Sequence, residues 1–330
     1  MRRIVFSLLG IAALLGIGLL IGAQRRASSP LSTSGAPTSL SIVVSFYPLA
    51  EFARQVGGEQ VAVTQITPTG VDAHDFQLSP QNIITIQSAK VFLYNGGGIE
   101  PWAERIHGEV ERHDVRVVNK LRALGMEGEA RAGRTEQTEH SGAKGPEDEH
   151  APAAGGVNPH VWLDPVLVQR QIEIIRDVLA EVDPARAQSY RANADRYLAN
   201  LRALDVAFRE GLSTCKYREV IVAHDAFRHL AERYGLTILP LAGSSPEAEA
   251  RPRQLADSVR RARSTGIRTV FSEVLVSPRI TENFAREIGA EVRTLHPLEG
   301  LTEEELRQGK NYLSVMQENL RQLKRGLECA

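Results

Sequence analysis

The chain has 330 residues, 42% of them hydrophobic and 24% charged, enough for two domains that each bury a core. A formal charge of −1 and a pI near 6.8 exclude an overall field that would draw it to nucleic acid or to acidic membranes. Its two cysteines, Cys215 and Cys329, fit no zinc-ligand spacing.

Met1-Arg2-Arg3 leads into IVFSLLGIAALLGIGLLIGA, Ile4 to Ala23, a run without a charge. A basic start, an apolar middle and a small-residue exit read as a secretory signal. The run is also just long enough to span a bilayer, so an uncleaved N-terminal anchor is the alternative. Ser, Pro, Thr and Gly then dominate to residue 39 and form a flexible tether. Export places the rest in an oxidising compartment, where Cys215 and Cys329 are expected to pair, close a long loop and pin the C-terminus.

From residue 40 the chain alternates between two periods. SIVVSFYPL, VAVTQIT, KVFLYNGG and VRVVN are short β-branched runs, with helical AEFARQVGG and SPQNIITIQSA between them. That is the pattern of a parallel sheet. Gly125 to Gly156 is different: it holds His140, His150 and seven Asp or Glu but almost no large apolar residue, so it buries no core and reads as a mobile acidic loop. Residues 164–213 form two helical stretches, each opened by an Asp-Pro pair that suits an N-cap followed by proline in the first turn.

Alternation resumes with REVIVAHDAF, RHLAERYG, LTILPLAG, RPRQLADSVRRARSTG, RTVFSEVLV, SPRITENFAREIG and EVRTLHPLEG, and one last helix covers residues 302–327. The fold class is therefore α/β: an N-terminal lobe over residues 40–183, a long rigid linking helix over 184–213, and a C-terminal lobe over 214–330. Ligands of open parallel sheets sit beyond the carboxyl ends of the strands.

Histidines occur in those places. His74 follows VAVTQITPTGVDA, His160 sits in GGVNPHVWLDP, His224 ends EVIVA, and His296 follows EVRTL with Glu299 three residues on. Four such residues drawn from both lobes point to a site in the cleft between them. Imidazole nitrogens with a carboxylate suit a borderline divalent ion such as Zn2+. Asp72, Asp75, Asp164 and Asp225 stand close enough in sequence to orient the imidazoles, although Asp164 and Asp225 equally suit helix N-capping. His107 and His113 read as exposed helix and loop residues, and His229, five residues after His224, as lying on the outer or packing side of a helix. Glu273, at the end of TVFSE, either approaches the cleft or bonds within the sheet edge.

The segments SFYPLAEFARQVGG, GVDAHDFQLSPQNIITIQSAKVFLYNGGGIEPW, NPHVWLDP, VAHDAFRHLAERYGL, VFSEVLVSP and LHPLEGLTEEE resemble, in order, the metal-binding cluster A-I family of periplasmic or surface proteins that feed zinc or manganese ABC importers. The resemblance runs from Ser41 to Cys329. It implies metal ligands at His74, His160 and His224, the last of which favours zinc over manganese. It also implies a fourth ligand at Glu299, with His296 as the alternative. The Gly125–Gly156 loop is poorer in histidine than the family's zinc-type loops.

The resemblance implies capture without turnover, in which a monomer takes Zn2+ outside the cytoplasmic membrane and docks on an ABC permease. Affinity is then expected to fall as pH drops through about 6.5, the ordinary histidine pKa. A manganese- or iron-binding importer component and a metal-dependent adhesin are the alternatives within the binding class. A zinc hydrolase is the alternative outside it, and no catalytic signature supports it.

Overall fold

The β-branched runs become parallel strands. The first four are β1 (Leu40–Val44), β2 (Val61–Gln65), β3 (Val91–Tyr94) and β4 (Arg116–Asn119), hydrogen-bonded in the order β2-β1-β3-β4. The second four are β5 (Glu219–Val222), β6 (Thr237–Pro240), β7 (Thr269–Glu273) and β8 (Glu291–Leu295), in the order β6-β5-β7-β8. Every pairing between them is parallel, as the alternating pattern requires. This computed structural model describes residues 39–126, 157–243 and 252–330. The N-terminal signal or anchor and the acidic loop with His140 and His150 fall outside the described residues. Among the described residues no helix is long and apolar enough to cross a membrane.

Helices cover both faces of each sheet. They are α1 (Tyr47–Gly57), α2 (Pro80–Gln87), α3 (Pro101–Glu111), α4 (Lys120–Ala123), α5 (Pro165–Val182), α6 (Ala187–Gly211), α7 (Arg228–Arg233), α8 (Pro252–Thr265), α9 (Arg279–Ile288), α10 (Glu303–Arg307) and α11 (Tyr312–Gly326). Successive strand residues face opposite ways, so Val43 and Phe92 pack outward on Ile86 of α2 and Trp102 of α3. Their neighbours Val44 and Leu93 face a second core, which Val220, Val222 and Phe271 of the other sheet also enter. On the far side, Ile221 and Val270 meet Ala262 of α8 and Phe284 of α9.

The shared core is built around α6. Tyr190, Ala194, Tyr197, Leu198, Leu201, Leu204 and Phe208 repeat at three and four residues, form one buried stripe and belong to that core. With 25 residues, α6 is about 38 Å long. A strut buried along one side against both lobes resists bending. The expected Asp-Pro start holds fully for α5, where Asp164 accepts from the Val166 and Leu167 amides and Pro165 fills the first turn. At Asp183-Pro184 the entry is instead a 3-10 turn, Pro184–Arg186, tied by Tyr190 Oη donating to Asp183 at 2.8 Å.

The C-terminal helix, expected as one, is two. Gly309 adopts φ 72° between α10 and α11, and two capping boxes, Thr302 with Glu305 and Asn311 with Ser314, each start a helix. Cys215 and Cys329 form a disulfide beside an antiparallel bridge, which fastens the chain after α11 to the start of the second lobe.

Candidate metal centre

Four strand-end or loop side chains meet between the lobes. His74 comes from the loop after β2, His160 from the segment entering α5, His224 from the end of β5, and Glu299 from the turn after β8. The Nε2 atoms of His74 and His224 each lie 3.4 Å from His160 Nε2. Glu299 Oε1 lies 3.6, 3.3 and 3.5 Å from the Nε2 atoms of His74, His160 and His224. A regular tetrahedron with edges of that length has its centre about 2.0–2.2 Å from each corner, the range of Zn–N and Zn–O bonds, and all four donor atoms here lie within 4.8 Å of one another. Neither oxygen of the Glu299 carboxylate, itself 1% exposed, has a hydrogen-bond partner. A buried anion facing three imidazole nitrogens is what a dication would compensate.

Two of the three imidazoles, those of His160 and His224, are backed by a neighbour on the side away from the cluster. His160 donates its backbone N–H to Asn158 Oδ1 at 3.0 Å, and its Nδ1 lies 2.9 Å from the same oxygen, so Nε2 is left to face the cluster. Asn158 is fixed in turn by donating to the Asp225 carbonyl at 2.6 Å, while His229 Nε2 lies 2.8 Å from the Asn158 carbonyl. His229 therefore packs from its helix onto the His160 loop. Trp162 donates to the Pro297 carbonyl at 2.7 Å, which couples the His160 segment to the turn that carries Glu299.

Glu273 plays the same part for His224. Its Oε1 accepts the His224 amide at 3.1 Å and its Oε2 lies 2.5 Å from Nδ1. The cause is register: β5 and β7 pair with Val222 opposite Phe271, so two residues further on His224 stands beside Glu273. Adjacent strand ends carrying His and Glu are the signal that the sequence offered for this contact.

In the first lobe, Glu100 accepts from Ser45 Oγ at 2.5 Å and from the Asn95 and Gly96 amides at 2.9 and 3.1 Å. Burial still pushes its carboxyl up to about 6, against the pull of those donors. The loop so fixed holds Pro159, because Asn95 donates to its carbonyl at 2.9 Å.

His296 stands outside the cluster. Its Nδ1 accepts the Leu298 amide at 2.9 Å and its Nε2 lies 3.4 Å from Glu305 Oε2. It shapes the turn in which Leu298 takes φ 59° and Glu299 swings to the centre. Asp72 accepts the His74 amide at 2.8 Å. Asp164 is taken up by its helix cap and by Arg233 at 2.7 Å, and Asp225 pairs with Arg228, so neither touches a cluster imidazole. His107 is partly buried against Tyr94 Oη at 2.9 Å, and His113 is exposed.

The charge states follow from burial and neighbours. Burial drives His160 down to about 4, outweighing Glu299. For His224 burial works the same way, but the Glu273 and Glu299 carboxylates on its two sides overcome it and push it up to about 10. Glu299 is held well below the usual carboxylate range: burial opposes this, and the three imidazoles prevail. Burial, reinforced by Glu299, raises Asp72 to about 7.

The family model for the periplasmic zinc-uptake complex component A matches residues 42–326. The high-affinity zinc uptake system protein ZnuA of Bacillus subtilis is 32% identical over 309 residues, covering 94% of each chain. The zinc-binding lipoprotein AdcA of Streptococcus pneumoniae is 34% identical over 285 residues, covering 86% of this chain and 55% of AdcA, so the chain spans about half of that relative. Among solved structures, the Zn(II)-bound ZnuA-like domain of the same AdcA superposes with a TM-score of 0.71 at 30% identity, covering 88% of this chain and 100% of the domain.

Proposed function

The chain belongs to the zinc-uptake complex component A family, and on that premise we propose that it captures Zn2+ through His74, His160, His224 and Glu299 outside the cytoplasmic membrane and delivers it to an ABC-type importer. The observation that carries this reading is the buried Glu299 carboxylate, without a hydrogen bond and within 3.6 Å of three Nε2 atoms. One chain supplies all four donors, so a monomer suffices. Three imidazoles and one carboxylate favour zinc over manganese, which prefers more oxygen. Four protein donors fill a tetrahedral shell and leave no position for an activated water, which supports carriage over hydrolysis.

His160 is neutral and presents its Nε2 lone pair at once. His224 carries a proton on Nε2 until the ion displaces it, while the Glu273 carboxylate stands against Nδ1. With α6 buried in the core common to both lobes, loading proceeds by adjustment of the strand-end loops rather than by wide closure. Competitive titration with Zn2+ and Mn2+ tests the proposal. The expected result is one tight zinc per chain, weakened at least a hundredfold by His224→Ala and by Glu299→Ala. Unchanged zinc affinity in both variants would overturn the ligand assignment, and preference for manganese would overturn the cargo.

A further inference from the structure

Beside the centre runs a groove of about 760 Å3, in the size range of small-molecule sites. His74 belongs to both: it is a corner of the cluster and part of the groove wall. Its side chain keeps 9% exposure, against 0–1% for the other three corners, so the groove meets the centre at its least buried donor. Phe76 and Trp102 form an aromatic wall, their rings 6.1 Å apart and edge to face. Trp102 is 3% exposed, and its Nε1–H has no acceptor. Two exposed charges of opposite sign, Asp75 and Arg105, line the same space, and neither makes an ion pair among the described residues.

An aromatic wall with an unused indole donor, one free cation and one free anion is complementary to a zwitterion with a flat side chain. Building on the zinc-capture reading, we propose that this groove receives zinc as an amino-acid chelate and holds the amino acid after the metal has left. Arg105 takes the carboxylate, Asp75 the ammonium, and Phe76 and Trp102 the side chain. In the exchange, the bonds from zinc to the chelator's amine nitrogen and carboxylate oxygen break as bonds to His74 and the remaining donors form. Zinc stays divalent throughout, and the released amine takes a proton from solvent. Only then does it become the ammonium that Asp75 matches, so the groove favours the emptied chelator and thereby the transfer.

The probe is L-histidine, added without metal to the whole 15N-labelled protein. The chain has two tryptophans, so the spectrum holds two indole signals, and Trp102→Phe identifies one of them. The Trp102 signal is expected to shift saturably with L-histidine, to need at least tenfold more in Arg105→Glu, and not to respond to imidazole alone. Zinc titrated in a non-coordinating buffer is expected to bind Arg105→Glu as it binds the parent protein. Loss of zinc binding by the parent protein would refute the capture reading itself. Intact zinc binding with an unmoved indole, a shift retained in Arg105→Glu, or the same shift with imidazole would refute the groove assignment alone.

Discussion

Glu273→Gln removes one charge from behind the centre while keeping the side chain's shape. In the native protein this carboxylate contacts His224 twice, at 3.1 and 2.5 Å, and both side chains are fully buried. It orients the ring, and with Glu299 it outweighs burial to hold the imidazole at about 10. Metal-free protein near neutral pH therefore has a proton on His224 that zinc must expel, whereas His160, at about 4, has none to lose. Each pH unit below about 10 thus costs zinc about a factor of ten at this one residue. The fall in affinity begins well above the ordinary histidine value on which the sequence-based expectation rested.

Losing such an outer partner costs about 10–100-fold in intrinsic affinity, or about 1.4–2.7 kcal/mol. The same change lowers the His224 pKa and so relieves proton competition. The variant's deficit should be full in alkaline solution and shrink toward neutrality. Calorimetric titration at about pH 8.5, in two buffers of different ionisation enthalpy, counts the protons released. The parent protein should release nearly one more proton than Glu273→Gln. Equal proton counts with equal affinities would refute the role given to Glu273.

Metal-free stability should also respond to pH. The raised His224 pKa gives a contribution that is complete below about 6.5 and lost as pH rises through about 10, and denaturant midpoints across that window should show it. Breaking the Cys215–Cys329 bond, which spans 114 residues, should cost about 4–5 kcal/mol in the chain-entropy model, read as a lower midpoint in Cys329→Ser. Gly97→Ala should weaken zinc binding without touching a ligand. Gly97 has φ 68°, and an added Cβ would strike the Leu121 side chain and meet Pro159 Cβ at 3.0 Å, displacing the residue before His160. Zinc titration of that variant, with circular dichroism as the folding control, checks it.

Much of this was legible in the residues because strand ends are legible. Four apolar runs per lobe fixed the sheets, and His74 and His224 mark where two strands release the chain. The preference for Glu299 over His296 rested on resemblance. The structure adds a physical reason for their different positions: His296 uses one ring nitrogen to cap the Leu298 amide and turns the other toward Glu305. Glu273 was underweighted because its contact depends on the pairing of strands about fifty residues apart, which no local pattern encodes. His229 was set aside because its partner is a backbone carbonyl, invisible to any pattern of side chains. The break at Gly309 was missed although its signals were local: the glycine and the second capping box were overridden by a long run of good helix formers.

The four corners of the centre come from widely separated stretches of chain, His160 standing 86 residues from His74 and 64 from His224. A random coil cannot hold such donors together, so an ion held by all four would bind the native state far more tightly than the unfolded one and act as a reversible staple. Cargo and durability are thereby linked. A loaded receptor should outlast an empty one under proteolysis, and metal scarcity would shorten the lifetime of the protein that collects the metal.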